Sequence, residues 1–188
     1  MKKLLILAVA MLLSLNIMAG EMVLKVGYDV NKDTKEKYTT NTITTESNEN
    51  SDMTLHVQLE GYGNFSDNVY GGFGIEIPTV LVVDGDDLAK VVPVYFAVKV
   101  KGDNGEIKPY IGAKIGAAVP FYEGDTSGLD EKAGLFWGLN AGMEFSSNIL
   151  VEMFYEESNY SIENSYNNQK LEFTTPKVGV NVGYKFDL

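Results

Sequence analysis

Between Glu21 and the last residue, segment after segment of the chain alternates apolar and polar residues with a period of two, and this constrains its fold more than any other feature. The closing stretch "KVGVNVGYKFDL" sets Val178, Val180, Val182, Tyr184, Phe186 and Leu188 against Lys177, Gly179, Asn181, Gly183, Lys185 and Asp187. A period of two means a strand with one apolar and one polar face. The pattern recurs in "EMVLKVGYDV", "SDMTLHVQLEGY", "VYGGFGIEI", "VVPVYFAVKV", "PYIGAKIGAA", "AGLFWGLNAGMEF" and "NILVEMFYEE", which with the closing stretch makes eight strands. Eight is also the smallest usual strand number of a closed bacterial membrane barrel, which takes an even count.

The connections alternate as well. "NFSDN", "GDNGE" and "SSN" are short and built of turn residues, whereas 31–50, 118–132 and 157–170 are long and polar. "DGDD" at 84–87 is a tight connection on the long-loop side. Short turns at one end and long loops at the other are the asymmetry of an outer-membrane barrel. Pro78, Pro109 and Pro176 fall near strand ends, and Pro93 predicts a bulge.

Residues 1–20, "MKKLLILAVAMLLSLNIMAG", have a basic start, an apolar run over Leu4 to Leu15 and small residues at Ala19 and Gly20. This is the pattern of a cleaved signal peptide, and the apolar run is shorter than the ~20 residues that span a bilayer. Its removal takes away Lys2 and Lys3 and no acid, so the net charge moves from −11 to −13. The 15 basic residues are all Lys, and a dense basic patch is absent, which argues against nucleic acid as a partner. Without Cys, disulfides, thiol nucleophiles and Cys-based metal sites are excluded.

The polar rows are rich in Gly and Tyr and carry isolated opposite charges, unlike a solvated face. Lys25, Glu60, Glu76, Lys99, Lys114, Glu144, Glu152 and Lys177 are therefore expected inside a narrow lumen, where paired charges neutralise one another, together with His56. The apolar rows would face lipid, with an aromatic girdle of Tyr28, Trp137 and Tyr155 on the outer side and Phe145, Tyr184 and Phe186 on the periplasmic side. The expected fold is all-β: an eight-stranded antiparallel up-and-down transmembrane β-barrel over residues 21–188, monomeric and in a bacterial outer membrane. A soluble calyx with its apolar rows turned inward is the rival architecture.

The signal peptide, the eight alternating strands and the segments "PYIGAKIGAAV", "FWGLNAGMEF" and "VGVNVGYKF" resemble the small outer-membrane β-barrel family of the OmpA transmembrane domain and the OmpX-like barrels. The resemblance implies a barrel that the outer-membrane assembly machinery recognises through its C-terminal strand; unlike in full-length OmpA, no peptidoglycan-binding domain is expected after it. Tyr184, Phe186 and Leu188 stand at the positions of that signal, with Leu188 where the family usually has Phe.

No catalytic constellation, cofactor site or metal spacing is visible, and no enzyme is expected. His56 is the lone histidine and by parity points into the lumen beside Gln58 and Glu60, away from a lipid substrate. Glu156 and Glu157 are expected to face water where a strand meets a loop, and "DGDD" is read as a solvated turn rather than a cation site. Eight strands leave a lumen that side chains fill. The expected function is structural or adhesive through the extracellular loops; the alternatives are a lipid-modifying enzyme and a narrow ion-conducting pore. Expected partners are outer-membrane lipid and lipopolysaccharide, with divalent ions bridging from Asp84, Asp86, Asp87, Glu123, Asp125, Asp130 and Glu131. A host or cell-surface ligand would meet loops 31–50 and 157–170, whose Tyr, Asn and Ser suit adaptable contacts.

Overall fold

A computed structural model describes residues 20–39, 44–50, 54–79, 90–102, 105–121, 129–164 and 169–188. Residues 1–19 of the expected signal peptide and the expected "DGDD" turn lie outside the described residues, as do Glu123 and Asp125. The chain forms β1 (Glu21–Thr39), β2 (Thr44–Asn50), β3 (Leu55–Ser66), β4 (Val69–Thr79), β5 (Lys90–Lys101), β6 (Ile107–Phe121), β7 (Leu129–Phe145), β8 (Ile149–Asn164) and β9 (Gln169–Asp187). β1 pairs antiparallel with both β2 and β3, each strand from β3 to β9 pairs antiparallel with the next, and β1 returns to pair with β9, from Glu21↔Asp187 to Thr39↔Lys170. The sheet therefore closes into an up-and-down barrel.

Nine strands occupy eight positions. β3 pairs with the start of β1, Glu21 to Tyr28, and β2 with its far end, Asp33 to Thr39, so β2 and β3 are two parts of the second stave. The segments 31–50 and 157–170, expected as loops, are largely strand. β1 and β2 pair up to Thr39↔Thr44, and β8 and β9 up to Asn164↔Gln169. Past the membrane both faces meet water, so hydrophobic alternation vanishes while the backbone ladder continues. The pattern that marks a strand in lipid is blind to its extension in solvent.

Pro93 makes no bulge. The β5–β6 ladder runs through Pro93↔Ala118 in register, and the β4–β5 ladder stops at Ile75↔Val94. Pro93 thus lies past the end of one ladder, where a missing N–H costs least. The register shifts instead at Asp29/Asn31, Asn64/Ser66 and Ala133/Phe136. At the tight end, Gly105 and Asn148 take left-handed backbone with φ 66° and 63°, which closes the two turns after β5 and β7.

The apolar rows point out and the polar rows point in. On β8 exposed Ile149, Val151, Met153 and Tyr155 alternate with buried Leu150, Glu152, Phe154 and Glu156. On β9 exposed Val178, Val180, Val182 and Tyr184 alternate with buried Lys177, Gly179, Asn181 and Gly183. Such a belt is the reverse of a water-soluble arrangement, and hydrocarbon is the solvent it fits. Glycine makes the narrow interior possible: a Cβ on Gly74 would lie 2.5 Å from the Tyr95 ring, and one on Gly27 would lie 2.0 Å from the His56 imidazole.

Met153, 66% exposed at the middle of the β8 belt, separates the lipid-facing arrangement from a soluble one. Met153→Arg is expected to lower stability in phospholipid vesicles by about 2–4 kcal/mol, the cost of Arg at mid-bilayer. Denaturant titration followed by the folded fraction on an unboiled gel measures it. A neutral substitution would mean that this face meets water.

Candidate functional site

Inward-facing residues of eight staves converge on a lumen in which charged side chains are paired at three levels. Nearest the tight turns, Lys101 Nζ reaches Glu21 Oε1 at 2.6 Å and Glu144 Oε2 at 2.7 Å. Lys99 meets Glu21 at 3.0 Å and lies 3.9 Å from the centre of the Tyr62 ring, while Lys185 meets Glu144 at 2.8 Å. Here Glu21 on β1 and Glu144 on β7, three staves apart around the ring, share Lys101 and Lys185.

At the middle level, Lys25 bridges Glu60 at 2.7 Å and Glu152 at 2.8 Å. Lys114 meets Glu156 at 2.8 Å and Glu60 at 3.4 Å. The same carboxylates also accept from neutral donors. Tyr62 and Tyr95 each donate to Glu60 at 2.9 Å; Tyr110, Asn140 and Asn181 donate to Glu152 at 2.9, 2.7 and 2.8 Å. Buried charges persist only when paired and hydrogen-bonded in this way.

At the third level, toward the long connections, Lys177 pairs with Glu76 and, at 3.2 Å, with Glu156. Gln58 Nε2 donates to Glu76 at 2.8 Å. His56, 1% exposed, sets Nε2 at 2.9 Å from Asn181 Oδ1 and Nδ1 at 3.3 Å from Asp29 Oδ1. Its ring meets Phe154 edge-on with centroids 5.3 Å apart.

The structure brings together the lumen set read from the sequence: Lys25, His56, Glu60, Glu76, Lys99, Lys114, Glu144, Glu152 and Lys177 are all buried. Glu156 corrects the expectation that it faces water, because it is fully buried between Lys114 and Lys177. It follows the inward parity of Glu152, and β8 runs on past it to Asn164. Asp29, Lys101, Lys185, Glu21 and the tyrosines Tyr62, Tyr95 and Tyr110 were missed as partners. Their parity was already legible; which of them meet across the lumen depends on stagger between staves far apart in sequence.

On the outer face, Tyr28, Tyr155, Tyr184 and Phe186 are exposed, and Trp137 and Phe145 are half-buried. Trp137 packs on Tyr155 with centroids 5.3 Å apart, and Tyr184 on Phe186 at 4.9 Å, at opposite ends of the belt. Leu188 ends the chain exposed beyond β9, its N–H 3.4 Å from the Gly20 carbonyl. Of the acids expected at the outer rim, Asp130 and Glu131 are described, both on β7. Among the described residues no group of three or more His, Asp or Glu side chains could hold a metal ion.

No protein-family model matches the sequence, and no curated protein matches it. Solved structures do match the fold. The outer membrane protein OprG from Pseudomonas aeruginosa aligns with 15% identity over 91% of this chain and 98% of its own, with a TM-score of 0.55. The outer membrane protein AlkL, solved in lipid bilayers, aligns with 14% identity over 91% of this chain and 92% of its own, with a TM-score of 0.53. The fold is therefore that of the small outer-membrane β-barrels.

Removing one member of a buried pair leaves its partner charged and unpaired. Lys114→Met, which leaves the buried carboxylates Glu60, Glu152 and Glu156 with only Lys25 and Lys177 between them, is expected to cost about 3–5 kcal/mol, and Lys170→Met, which breaks the exposed pair with Glu172, under about 1 kcal/mol. Equilibrium unfolding of both variants in the same lipid checks the difference. Equal effects would show that the lumen pairs are not desolvated.

Proposed function

We propose that this chain is a structural or adhesive protein of a bacterial outer membrane, with a lumen plugged by its own side chains and extracellular hairpins as its partner surface. The reading is carried by the continuity of the lumen network. Ion pairs hold Glu21 to Lys101 and Lys99, Lys99 lies over the Tyr62 ring, and from Tyr62 hydrogen bonds and ion pairs run through Glu60, Lys25 and Glu152 to Asn181 and His56, and through Lys114 and Glu156 to Lys177 and Glu76. A solute crossing an eight-stranded lumen would have to break several of these pairs at once. The assembly machinery is the proposed partner during insertion, with Tyr184, Phe186 and Leu188 as its recognition residues.

The hairpins β1–β2 and β8–β9 extend beyond the apolar belt and are tied to each other through the β1–β9 ladder, as in Lys37↔Glu172 and Tyr38↔Leu171. Within the β8–β9 hairpin, the cross-strand neighbours Tyr160 and Phe173 stack with centroids 4.7 Å apart and an interplanar angle of 12°. A hairpin wall held this way presents a stable surface rather than isolated loops, and rigid scaffolds carrying polar tips are where binding resides. We assign His56 no catalytic part, because its ring nitrogens face Asp29 and Asn181 inside the barrel, away from the lipid face.

Three measurements test the reading. Vesicles holding the protein are expected not to swell in isotonic arabinose; swelling at porin-like rates would overturn the plugged lumen. Replacing residues 40–43 and 165–168 by Gly and Ser is expected to abolish attachment of cells to a surface while leaving the boiling-dependent gel shift unchanged. Unchanged attachment would remove the adhesive role. A change in lipid composition on His56→Ala would instead favour a lipid-modifying enzyme.

A further inference from the structure

One carboxylate sits on the outside of the barrel in a setting unlike the others. Along β8 the outward row is apolar through Met153 and Tyr155, and Glu157 is its first charged member. Across the ladder Glu157 stands opposite Trp137 on one side and Pro176 on the other. It therefore marks the level at which the hydrocarbon belt gives way to the headgroup layer on the long-hairpin side.

The side chain is held in place. Trp137 Nε1 donates to Glu157 Oε1 at 3.3 Å, Asn159 Nδ2 donates to the same oxygen at 3.2 Å, and Tyr155 Oη donates to Oε2 at 3.4 Å. Thr174 in turn donates to Asn159 Oδ1 at 2.7 Å and orients that amide. The Trp137 and Tyr155 rings lie beside the carboxylate with centroids 5.3 Å apart and planes inclined by 48°. All its donors are neutral, and no lysine among the described residues forms an ion pair with Glu157. The lumen carboxylates, by contrast, are each matched to lysines or to the lone histidine.

We infer that Glu157, Trp137 and Tyr155 form a rim site for the primary ammonium of an outer-leaflet lipid headgroup. An ammonium would donate to the carboxylate and lie against the electron-rich ring faces, the two contacts this cluster offers. A hard divalent ion is the poorer fit, since it needs about six or more oxygen ligands and ring faces supply none. The site rests on the lipid-facing reading of the belt, and it is independent of any partner of the hairpins.

Trp137 is the sole tryptophan of the chain, so its fluorescence reports on this site alone. The full protein would be folded into vesicles of equal parts phosphatidylethanolamine and phosphatidylglycerol. Bromines near the headgroup end of the acyl chains would be placed on one lipid or the other. The ethanolamine lipid is expected to be favoured at Trp137 by roughly two- to fivefold, the scale of an exposed cation–π contact. Glu157→Gln keeps the acceptor for Trp137 and Asn159 and is expected to remove the preference. Glu157→Lys is expected to reverse it toward the glycerol lipid, and a boiling-dependent gel shift verifies that both variants fold. Equal quenching by both lipids in the wild-type protein, or a preference that survives Glu157→Gln, would overturn the site. A preference that EDTA abolishes would overturn it in favour of a bridging divalent ion. No quenching by either lipid would overturn the lipid-facing rim itself.

Discussion

Closure of the sheet through the β1–β9 ladder is the constraint on which the rest of the structure depends. In hydrocarbon each unpaired N–H or C=O costs several kcal/mol, and an open sheet would present a whole row of them. The ladder from Glu21↔Asp187 to Thr39↔Lys170 removes that edge. Closing a sheet of eight staves also sets the bore, and the bore sets what can stand inside it. Large inward side chains such as Tyr95 and Phe154 need an inward glycine opposite, as Gly74 and Gly179 provide.

The same narrowness governs the charges. In a wide lumen Lys25, Glu60 and Glu152 would be hydrated; here they are buried and must satisfy one another. A buried ion pair is weak evidence for net stability, because desolvation offsets much of the attraction. What the network supplies is register. Lys114 can meet both Glu60 and Glu156 only if β3, β6 and β8 keep their stagger, so a slipped stave would leave a buried charge unpaired. Outside, the rule inverts: Met153 and Val182 need no partner, whereas Glu157 at the edge of the belt is held by Trp137, Tyr155 and Asn159.

Much of this was legible in the sequence, because in a membrane barrel the side-chain period and the environment change together. Parity alone assigns Lys25, Glu76 and Lys177 to the interior and Val180 and Val182 to the lipid face, and the structure places them there. The reading failed where the environment stopped alternating. Glu156 looked like a loop acid because "EESNYS" is polar on both faces, yet β8 continues to Asn164 and keeps Glu156 inward. Segment 31–50 looked like a loop for the same reason, and β1 and β2 pair along it to Thr39↔Thr44.

By itself the sequence determined the strand class, the inward and outward rows, and the end of the barrel that carries short turns. These follow from local alternation and local turn residues, which need no knowledge of the partner strand. Only the tertiary structure decided the ring closure, the bulges at Asp29/Asn31 and Ala133/Phe136, and the identity of each lumen pair. Those depend on the stagger of staves far apart in the chain, as between Lys25 and Glu152 or His56 and Asn181, and stagger is set by the closed ladder as a whole.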